Sequence, residues 1–380
     1  MKVESRNILI NALSAQDGGG VTYVRNLLEF ISRNNRQERY YVIVDKSNKL
    51  KFDTFNQDNI TLVEAHYSNN FLARYLWELI HIKSLIKTNR ITHYYCPGGI
   101  ISPFKISDVV NITAFRNMMP FYQLGFEKYT LMERFRLKLL QKLFIISFKS
   151  ADKLVFISNY AQNIIRDYIP DINNKSVVIP HGVNEIFRLP TKEASFVDYN
   201  LPDNYVLYVS TVTVYKHQAE LIEAIYLKKS NGESFNPVVL VGSIGSQFGK
   251  NVLKKIATYG LEKDVIYLGK VAYNDLPNLY RNARSVIFAS SCENCPNILL
   301  ESMSMRKLIF CSKFMPMPEF GKQSVIYFNP TIVDEFVRIL TLEYDFNSFE
   351  KIEFENMAYE QSLQYQFTTS LKDTLAFILE

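Results

Sequence analysis

A chain of 380 residues is longer than one hydrophobic core usually organises, so one small module is excluded and two domains are expected. Hydrophobic residues at 47% and charged residues at 21% are those of a folded protein, which excludes a disordered or fibrous chain. A formal net charge of +5 is far short of the excess of a dedicated nucleic-acid binder, and four cysteines give no disulfide framework. No secretory core or cleavage site follows Lys2, Glu4 and Arg6. No apolar run reaches the ~18–20 residues of a bilayer span, the densest being Leu143 to Phe148. A cytoplasmic protein is expected, with any membrane contact peripheral on the inner face of the cell membrane.

Short β-rich runs come first at Asn7 to Ile10, Tyr40 to Val44, Ile60 to Val63, Val109 to Thr113, Lys153 to Ile157 and Val177 to Ile179. Helical patterns separate most of them, the signature of βα units around a parallel sheet. The alternation restarts at Tyr205 to Val209 and runs through Val238 to Val241, Val265 to Leu268, Val286 to Ala289, Leu308 to Cys311 and Val325 to Tyr327. Between the two sets Pro180, Gly182, Pro190 and Pro202 accumulate and periodicity fails, as in an interdomain linker. The expected domains are 1–180, a linker at 181–204, a second domain at 205–360, and a C-terminal helix at 361–380 that crosses back to the first domain.

Gly18, Gly19 and Gly20 fall between the first strand and the helical pattern Val21 to Arg33. Their spacing is not GxGxxG, so no dinucleotide fingerprint is supported. Either they form a flexible strand-to-helix turn, or they let the backbone approach an anion at a helix N-terminus. Gly98 and Gly99 after Pro97 read as a turn.

From Asn111 to Lys175 ten bases face five acids, so this segment carries a surplus equal to that of the whole chain. Arg134, Lys138, Lys142 and Lys149 recur at helical spacing, with Met132, Phe135, Leu139, Leu143 and Ile146 on another face. Two readings stay open, a solvated helix docked on its own domain or a surface on anionic lipid. From Thr331 onward the balance reverses, ten acids against three bases.

The densest cluster of chemistry runs from Ser290 to Glu301, directly after the strand Val286 to Ala289. Asn294 reads as a helix cap and Pro296 as a first-turn residue, which puts Glu293 in the loop and Glu301 about one and a half turns inside the helix. Open α/β sheets bind ligands at that edge. Two carboxylates would then border a helix N-terminus able to hold phosphate, unless both are solvated surface groups. Cys292 and Cys295 form a CxxC, but only Cys311 lies near and no His completes four ligands, so no metal is expected. The five histidines show no HxxxH or HExxH spacing. Lys216, between the strand Tyr205 to Val209 and the helix Gln218 to Leu227, is placed to neutralise a departing diphosphate or is a surface cation.

Those residues resemble retaining glycosyltransferases of family 4, the group 1 glycosyltransferases. The likeness runs through Tyr208-Val209-Ser210, Tyr215-Lys216-His217, Glu293-Asn294-Cys295-Pro296-Asn297 with Glu301, and Met315-Pro316-Met317-Pro318-Glu319. Gly18-Gly19-Gly20, Val155-Phe156-Ile157-Ser158 and Ile179-Pro180-His181-Gly182 extend it over essentially the whole chain. The resemblance implies an α/β protein of GT-B fold, two Rossmann-like domains facing a central cleft, acceptor on the first and nucleotide sugar on the second. It implies no cofactor and a nucleotide-diphosphate sugar as donor. By resemblance Glu301 binds the ribose hydroxyls, Lys216 the diphosphate and Glu293 the sugar hydroxyls. Amides near Asn297 and Ile298 take the phosphates, and Gly19 and Gly20 serve the phosphate or acceptor side.

The chain departs from the family pattern in four places. Thr211 stands where an arginine often contacts phosphate, and Arg116-Asn117 replaces a His-Asp pair, leaving Arg116 or Asn117 as contacts to donor or acceptor. Arg306 and Leu308 replace a small-residue, Gly and Pro pattern, and Tyr365-Gln366-Phe367 a late aromatic-Trp signature. The expected function is hexose transfer to a glycan or lipid-linked glycan in bacterial-type surface polysaccharide synthesis. Arg134, Lys138 and Lys142 are its expected contact with anionic membrane, and no nucleic acid is expected as partner. The rivals are a catalytically reduced subunit that binds glycan or a partner glycosyltransferase, and a sugar-nucleotide epimerase.

Overall fold

The computed structural model describes residues 6–16, 18–34, 37–57, 59–67, 70–101, 106–122, 124–188 and 199–380. Lys2, Glu4 and positions 189–198 of the expected linker lie outside them. The chain forms two compact units, one of Met1–Phe121, Leu131–Pro180 and Thr368–Glu380, the other of Tyr122–Thr130 and His181–Phe367.

Unit 1 is built on strands β1 (Asn7–Asn11), β2 (Arg39–Asp45), β3 (Ile60–Ala65), β4 (His93–Cys96), β5 (Val110–Phe115), β6 (Lys153–Phe156) and β7 (Ser176–Val178). They make a parallel sheet in the order β3-β2-β1-β4-β5-β6-β7. Its helices are α1 (Gly18–Asn34), α2 (Phe71–Thr88), α3 (Leu131–Ser150) and α4 (Asn159–Arg166). The strand order reverses direction between β1 and β4, and that switch point is where open sheets of this kind leave a crevice for ligand. Strand β4 was not legible, because His93-Tyr94-Tyr95-Cys96 carries no run of branched aliphatics; all four side chains are nevertheless buried.

Two local expectations need correction. The three glycines form the first turn of α1 rather than a loop before it, and the six residues Ala12 to Asp17 separate them from β1. Helix α3 docks through Phe144, Ser147 and Phe148, with Phe144 and Phe148 packed edge-on or tilted around Phe115. Met132, Phe135, Leu139 and Ile146 are exposed instead. The turn after β4 fits closely over this contact: Ser147 Oγ donates to Gly99 O at 2.8 Å, and a Cβ on Gly99 would meet Phe144.

Unit 2 repeats the plan with β8 (Val206–Val209), β9 (Val238–Val241), β10 (Val265–Gly269), β11 (Ser285–Phe288), β12 (Leu308–Ser312) and β13 (Ile326–Phe328). The parallel order is β10-β9-β8-β11-β12-β13, with its switch point between β8 and β11. Helices α5 (Gln218–Ser230), α6 (Gln247–Thr258), α7 (Leu276–Asn282), α8 (Asn297–Ser304), α9 (Met317–Gly321), α10 (Val333–Asp345) and α11 (Ser348–Ser362) complete it. The core joins Val206, Tyr208, Val238 and Ile287 of the sheet to Leu221, Ile225, Phe336 and Leu340 of α5 and α10. The chain closes with α12 (Phe367–Leu379), which buries Leu371, Thr374, Leu375 and Ile378. In unit 1 this helix is tied by Ser370 Oγ donating to Pro180 O at 2.6 Å and Lys153 Nζ to Phe377 O at 3.0 Å.

Candidate active site

At the switch point of unit 2 the loop 210–217 leaves β8 and the loop 289–296 leaves β11, so both emerge at the C-terminal edge of the sheet. They are fastened together by backbone and side chains. Ser291 N donates to Tyr215 O at 2.9 Å, His217 Nε2 meets Ser291 Oγ at 2.8 Å, and the Tyr208 hydroxyl donates to Lys216 O. His217 takes the left-handed conformation with φ +58°, which turns the chain from this loop into α5. Histidine at a positive φ is unusual, and the bond to Ser291 helps to hold it.

This framework presents the Lys216 ammonium to the Glu293 carboxylate as an ion pair. The lysine side chain is only 9% exposed against 18% for the glutamate, so the carboxylate is the partner with more access to solvent. Tyr215 and Phe288 place their ring faces 5.4 Å from the ammonium. Burial pulls the Lys216 pKa down, but the Glu293 charge outweighs it and leaves the ammonium held above its ordinary range. Lys216 is therefore a retained, buried cation, not a surface one.

Helix α8 begins at Asn297, and Pro296 precedes it without a side-chain cap. Asn294 is buried in the loop, so the expectation that it caps the helix is corrected. Glu301 then lies one turn inside and is 7% exposed, which removes the solvated-face alternative. Its carboxyl accepts from the Tyr273 hydroxyl at 3.0 Å. Burial pushes its pKa up to about 8, against the opposing hydrogen bonds of Tyr273 and Tyr280. Asn297 is exposed and Ile298 half-buried at the start of the same helix, and Asn297 Oδ1 meets His181 Nδ1 at 3.0 Å.

Thr211 faces solvent beside the loop after β9, its hydroxyl 3.3 Å from Ser243 Oγ. The two loops touch through their backbones: Gly242 has φ +149°, and a Cβ there would lie 2.0 Å from Ser210 O. Cys292, Cys295 and Cys311 are buried, and burial raises the thiol pKa of Cys292 and Cys311. Among the described residues no three His, Cys, Asp or Glu side chains group as metal ligands.

Gly19, Gly20, Arg116 and Asn117 belong to unit 1. The glycines are exposed, and a Cβ on Gly19 would meet nothing within 4 Å. Arg116 follows β5, its guanidinium carbon 3.3 Å from the centre of the Tyr23 ring and its Nη2 donating to Tyr95 OH at 3.4 Å. Asn117 is exposed and accepts from Met119 N at 3.1 Å.

Residues 191–342 match the family described as Glycosyl transferases group 1. Over that stretch the chain is similar to group 1 glycosyltransferases. That stretch contains Lys216, Glu293, Glu301 and the loops that hold them. The chain is 24% identical over 202 residues to the serotype-specific mannosyltransferase WbdA of Escherichia coli, covering 52% of this chain and 25% of that protein. It thus spans about a quarter of the length of the first curated relatives it matches. The capsular polysaccharide biosynthesis glycosyltransferase CapH of Staphylococcus aureus is 23% identical over 76% of this chain and 77% of its own. Anabaena HepE, solved in complex with UDP and glucose, superposes with a TM-score of 0.72 at 17% identity, over 98% of this chain and 99% of that one. The α/β, GT-B expectation holds: each unit has the Rossmann-like strand order, and the solved neighbours have this fold.

The sequence reading missed Tyr273, the hydrogen-bond partner of Glu301, and His217 and Ser291, which fix the lysine loop. Tyr273 lies in a short turn 28 residues before Glu301, beyond any local spacing. His217 had a signal, since it directly follows the lysine in the quoted motif.

Proposed function

We propose that this chain is a retaining glycosyltransferase that moves a hexose from a nucleotide-diphosphate sugar to a glycan or lipid-linked glycan in surface polysaccharide synthesis. The observation that carries the reading is the buried Lys216–Glu293 ion pair at the sheet's switch point, beside the start of α8. An arriving diphosphate competes with Glu293 for the ammonium. Once Lys216 turns to phosphate, the Glu293 carboxylate is released to accept hydrogen bonds from sugar hydroxyls. The α8 amides at Asn297 and Ile298 add dipolar stabilisation to the phosphates, and Glu301 receives the ribose hydroxyls. Thr211, beside Ser243, offers a hydroxyl on the phosphate side.

In the reaction, the bond between the anomeric carbon and the phosphate oxygen breaks with its electron pair on phosphate. The acceptor oxygen bonds to the same face of that carbon, and its proton passes to the leaving phosphate. Charge grows on phosphate as the carbon becomes cation-like, and Lys216 stabilises that growth without moving far. No step in this scheme calls on a metal ion. In unit 1, Gly19, Gly20, Arg116 and Asn117 serve the acceptor or the donor's far side. A polysaccharide role draws on the mannosyltransferase and capsular relatives, and a uridine diphosphate sugar is the first donor to try because of the complex of Anabaena HepE.

The test is a thermal-shift panel of UDP, GDP, ADP, CMP and dTDP with their sugar conjugates, in EDTA and again with magnesium. Ligand at ~100 times its Kd stabilises by ~2.7 kcal/mol, which reads as a clear shift. One base should shift the melting selectively, in EDTA as well as magnesium, and Glu301→Ala should abolish the shift. No shift with any nucleotide overturns the donor site and favours a subunit that binds glycan without catalysis. A shift that needs magnesium overturns the metal-independent scheme.

A further inference from the structure

We propose that Tyr122 is a positioning residue for Lys216 and Glu293, its hydroxyl holding in register the two loops that carry them. The inference rests on the function proposed above and adds a residue to it. Along the chain the segment Tyr122–Thr130 lies between β5 and α3, yet it belongs to unit 2. Tyr122 meets that unit where the loops after β8 and β11 are joined. Its hydroxyl is hydrogen-bonded to Ser291 Oγ, and its ring stands edge-on to Tyr215 with centroids 6.5 Å apart. Ser291 stands two residues before Glu293, and Tyr215 directly precedes Lys216. One side chain therefore touches both loops, each beside the charged group it presents.

Ser291 Oγ is bonded to the Tyr122 hydroxyl, to His217 Nε2 at 2.8 Å and to Tyr215 O at 3.3 Å. A hydroxyl has one hydrogen and two lone pairs, so one arrangement satisfies all three. The carbonyl can only accept, so Ser291 donates to Tyr215 O, and both Tyr122 and the Nε2–H of His217 donate to Ser291. Without the phenol hydrogen a lone pair of Ser291 loses its donor, and at 4% exposure the serine is poorly placed to find water instead. The effect reaches the ammonium through a short turn. Val214–Lys216 form a single helical turn that His217 ends at φ +58°, and the His217 ring is bonded to Ser291. Farther along the segment Gly125 passes the same turn, since a Cβ on it would lie 3.7 Å from Val214 Cγ1. A cation that leaves Glu293 for a diphosphate and then meets growing charge must be placed closely. Tyr122 acts on that placement through the loops, so its loss should appear in turnover more than in donor affinity. Nothing local in the sequence marks it, because 169 residues separate it from Ser291.

The test compares Tyr122→Phe, which removes the hydroxyl and keeps the ring, with Ser291→Ala and the double variant, using the full chain and the donor that the nucleotide panel selects. In Tyr122→Phe kcat should fall about tenfold while donor KM stays within about twofold. The melting temperature and the nucleotide shift should match wild type. The double variant should be no slower than the slower single, because both changes break one connection. Hydrogen exchange of the amides at 212–217 should quicken severalfold in nucleotide-free Tyr122→Phe. An unchanged kcat, unchanged exchange, or losses that multiply in the double variant would each overturn the positioning role. So would a melting temperature that falls in step with turnover, which would make Tyr122 a structural support. A wild type with neither nucleotide shift nor turnover overturns the proposed function and this inference with it, whereas an active wild type matched by Tyr122→Phe overturns this inference alone.

Discussion

The switch points of the two sheets share one topology and differ in what fills them. In unit 2 the loops after β8 and β11 are bonded to each other and enclose a lysine, a glutamate and, one helical turn on, a buried carboxyl that accepts from the Tyr273 hydroxyl. In unit 1 the loop after β1 leads to exposed glycines, and the cation we place at that edge, Arg116, lies over the Tyr23 ring and donates to the Tyr95 hydroxyl. A ligand of fixed charge rewards groups held in advance in low dielectric, because little then reorganises when it binds. An open edge of bare backbone suits a partner recognised by shape. The contrast supports the proposed function's division, with the constant half of a nucleotide sugar on unit 2 and the variable half of the reaction on unit 1.

The largest effect should come from removing the held cation. Lys216→Met keeps the length and the packing against Phe288 but ends the ion pair, and turnover of the best donor should fall about 10²- to 10³-fold. Glu293 is the more exposed partner and can be hydrated, so the melting temperature should move little. Steady-state kinetics beside a thermal melt checks both. A large loss of stability with turnover preserved would make the pair a structural bolt, and the contrast between the units would lose its chemical meaning.

A smaller effect is expected from pH. Burial holds the Glu301 carboxyl at about 8, so it is mostly protonated at neutral pH in the free protein. Ribose hydroxyls donate best to a carboxylate, so nucleotide affinity should rise roughly tenfold per pH unit well below about 8 and flatten above it. Calorimetry in buffers of different ionisation enthalpy should show a proton released on binding. Tyr273→Phe removes a bond that favours the ionised form, and the midpoint should move to higher pH. For stability the sign is opposite: a carboxyl with a raised folded pKa loses stability as pH climbs from its ordinary value through about 8. Glu301→Gln should therefore melt higher than wild type at pH 8.5 in the absence of nucleotide, and together with it near pH 4. A flat affinity profile between pH 6.5 and 8.5 would show that ionised Glu301 is not what the nucleotide needs.

Much of this was written locally. Branched runs such as Val238 to Val241 marked strands, and charged groups in the loops that follow them fell at the sheet edge by topology alone. Lys216 and Glu293, 77 residues apart, were both expected at one sheet edge, and they meet because β8 and β11 are neighbours, which is a finding of the structure. What escaped depends on which side of an element packs. The apolar residues of α3 occupy most of its circumference, so spacing could not tell the docked side from the exposed one. Asn294 had the composition of a cap, but the loop turned inward and buried it, and α8 started three residues later. Tyr273 carries no motif at all; only the packed fold brings its hydroxyl to Glu301.

The smallest effect concerns the bare backbone of unit 1. Gly19 sits in the first turn of α1 with open space where a Cβ would be, so nothing in the unit itself requires glycine there. Alanine is the better helix former by up to ~1 kcal/mol in a helix interior and by less in a first turn. Gly19→Ala should therefore leave the melting temperature unchanged or raise it by a degree or two. If backbone there approaches the substrate, the added methyl should raise KM severalfold while kcat holds, because it obstructs binding and leaves Lys216 and Glu293 untouched. Nucleotide binding measured alone should be unaffected if the obstruction is to the acceptor, and weakened if it is to the donor, so the same variant says which substrate this turn serves. Unchanged KM values for both would reduce the glycines to a connection between β1 and α1, and the openness of unit 1 would then have to be credited to Arg116 and Asn117 instead.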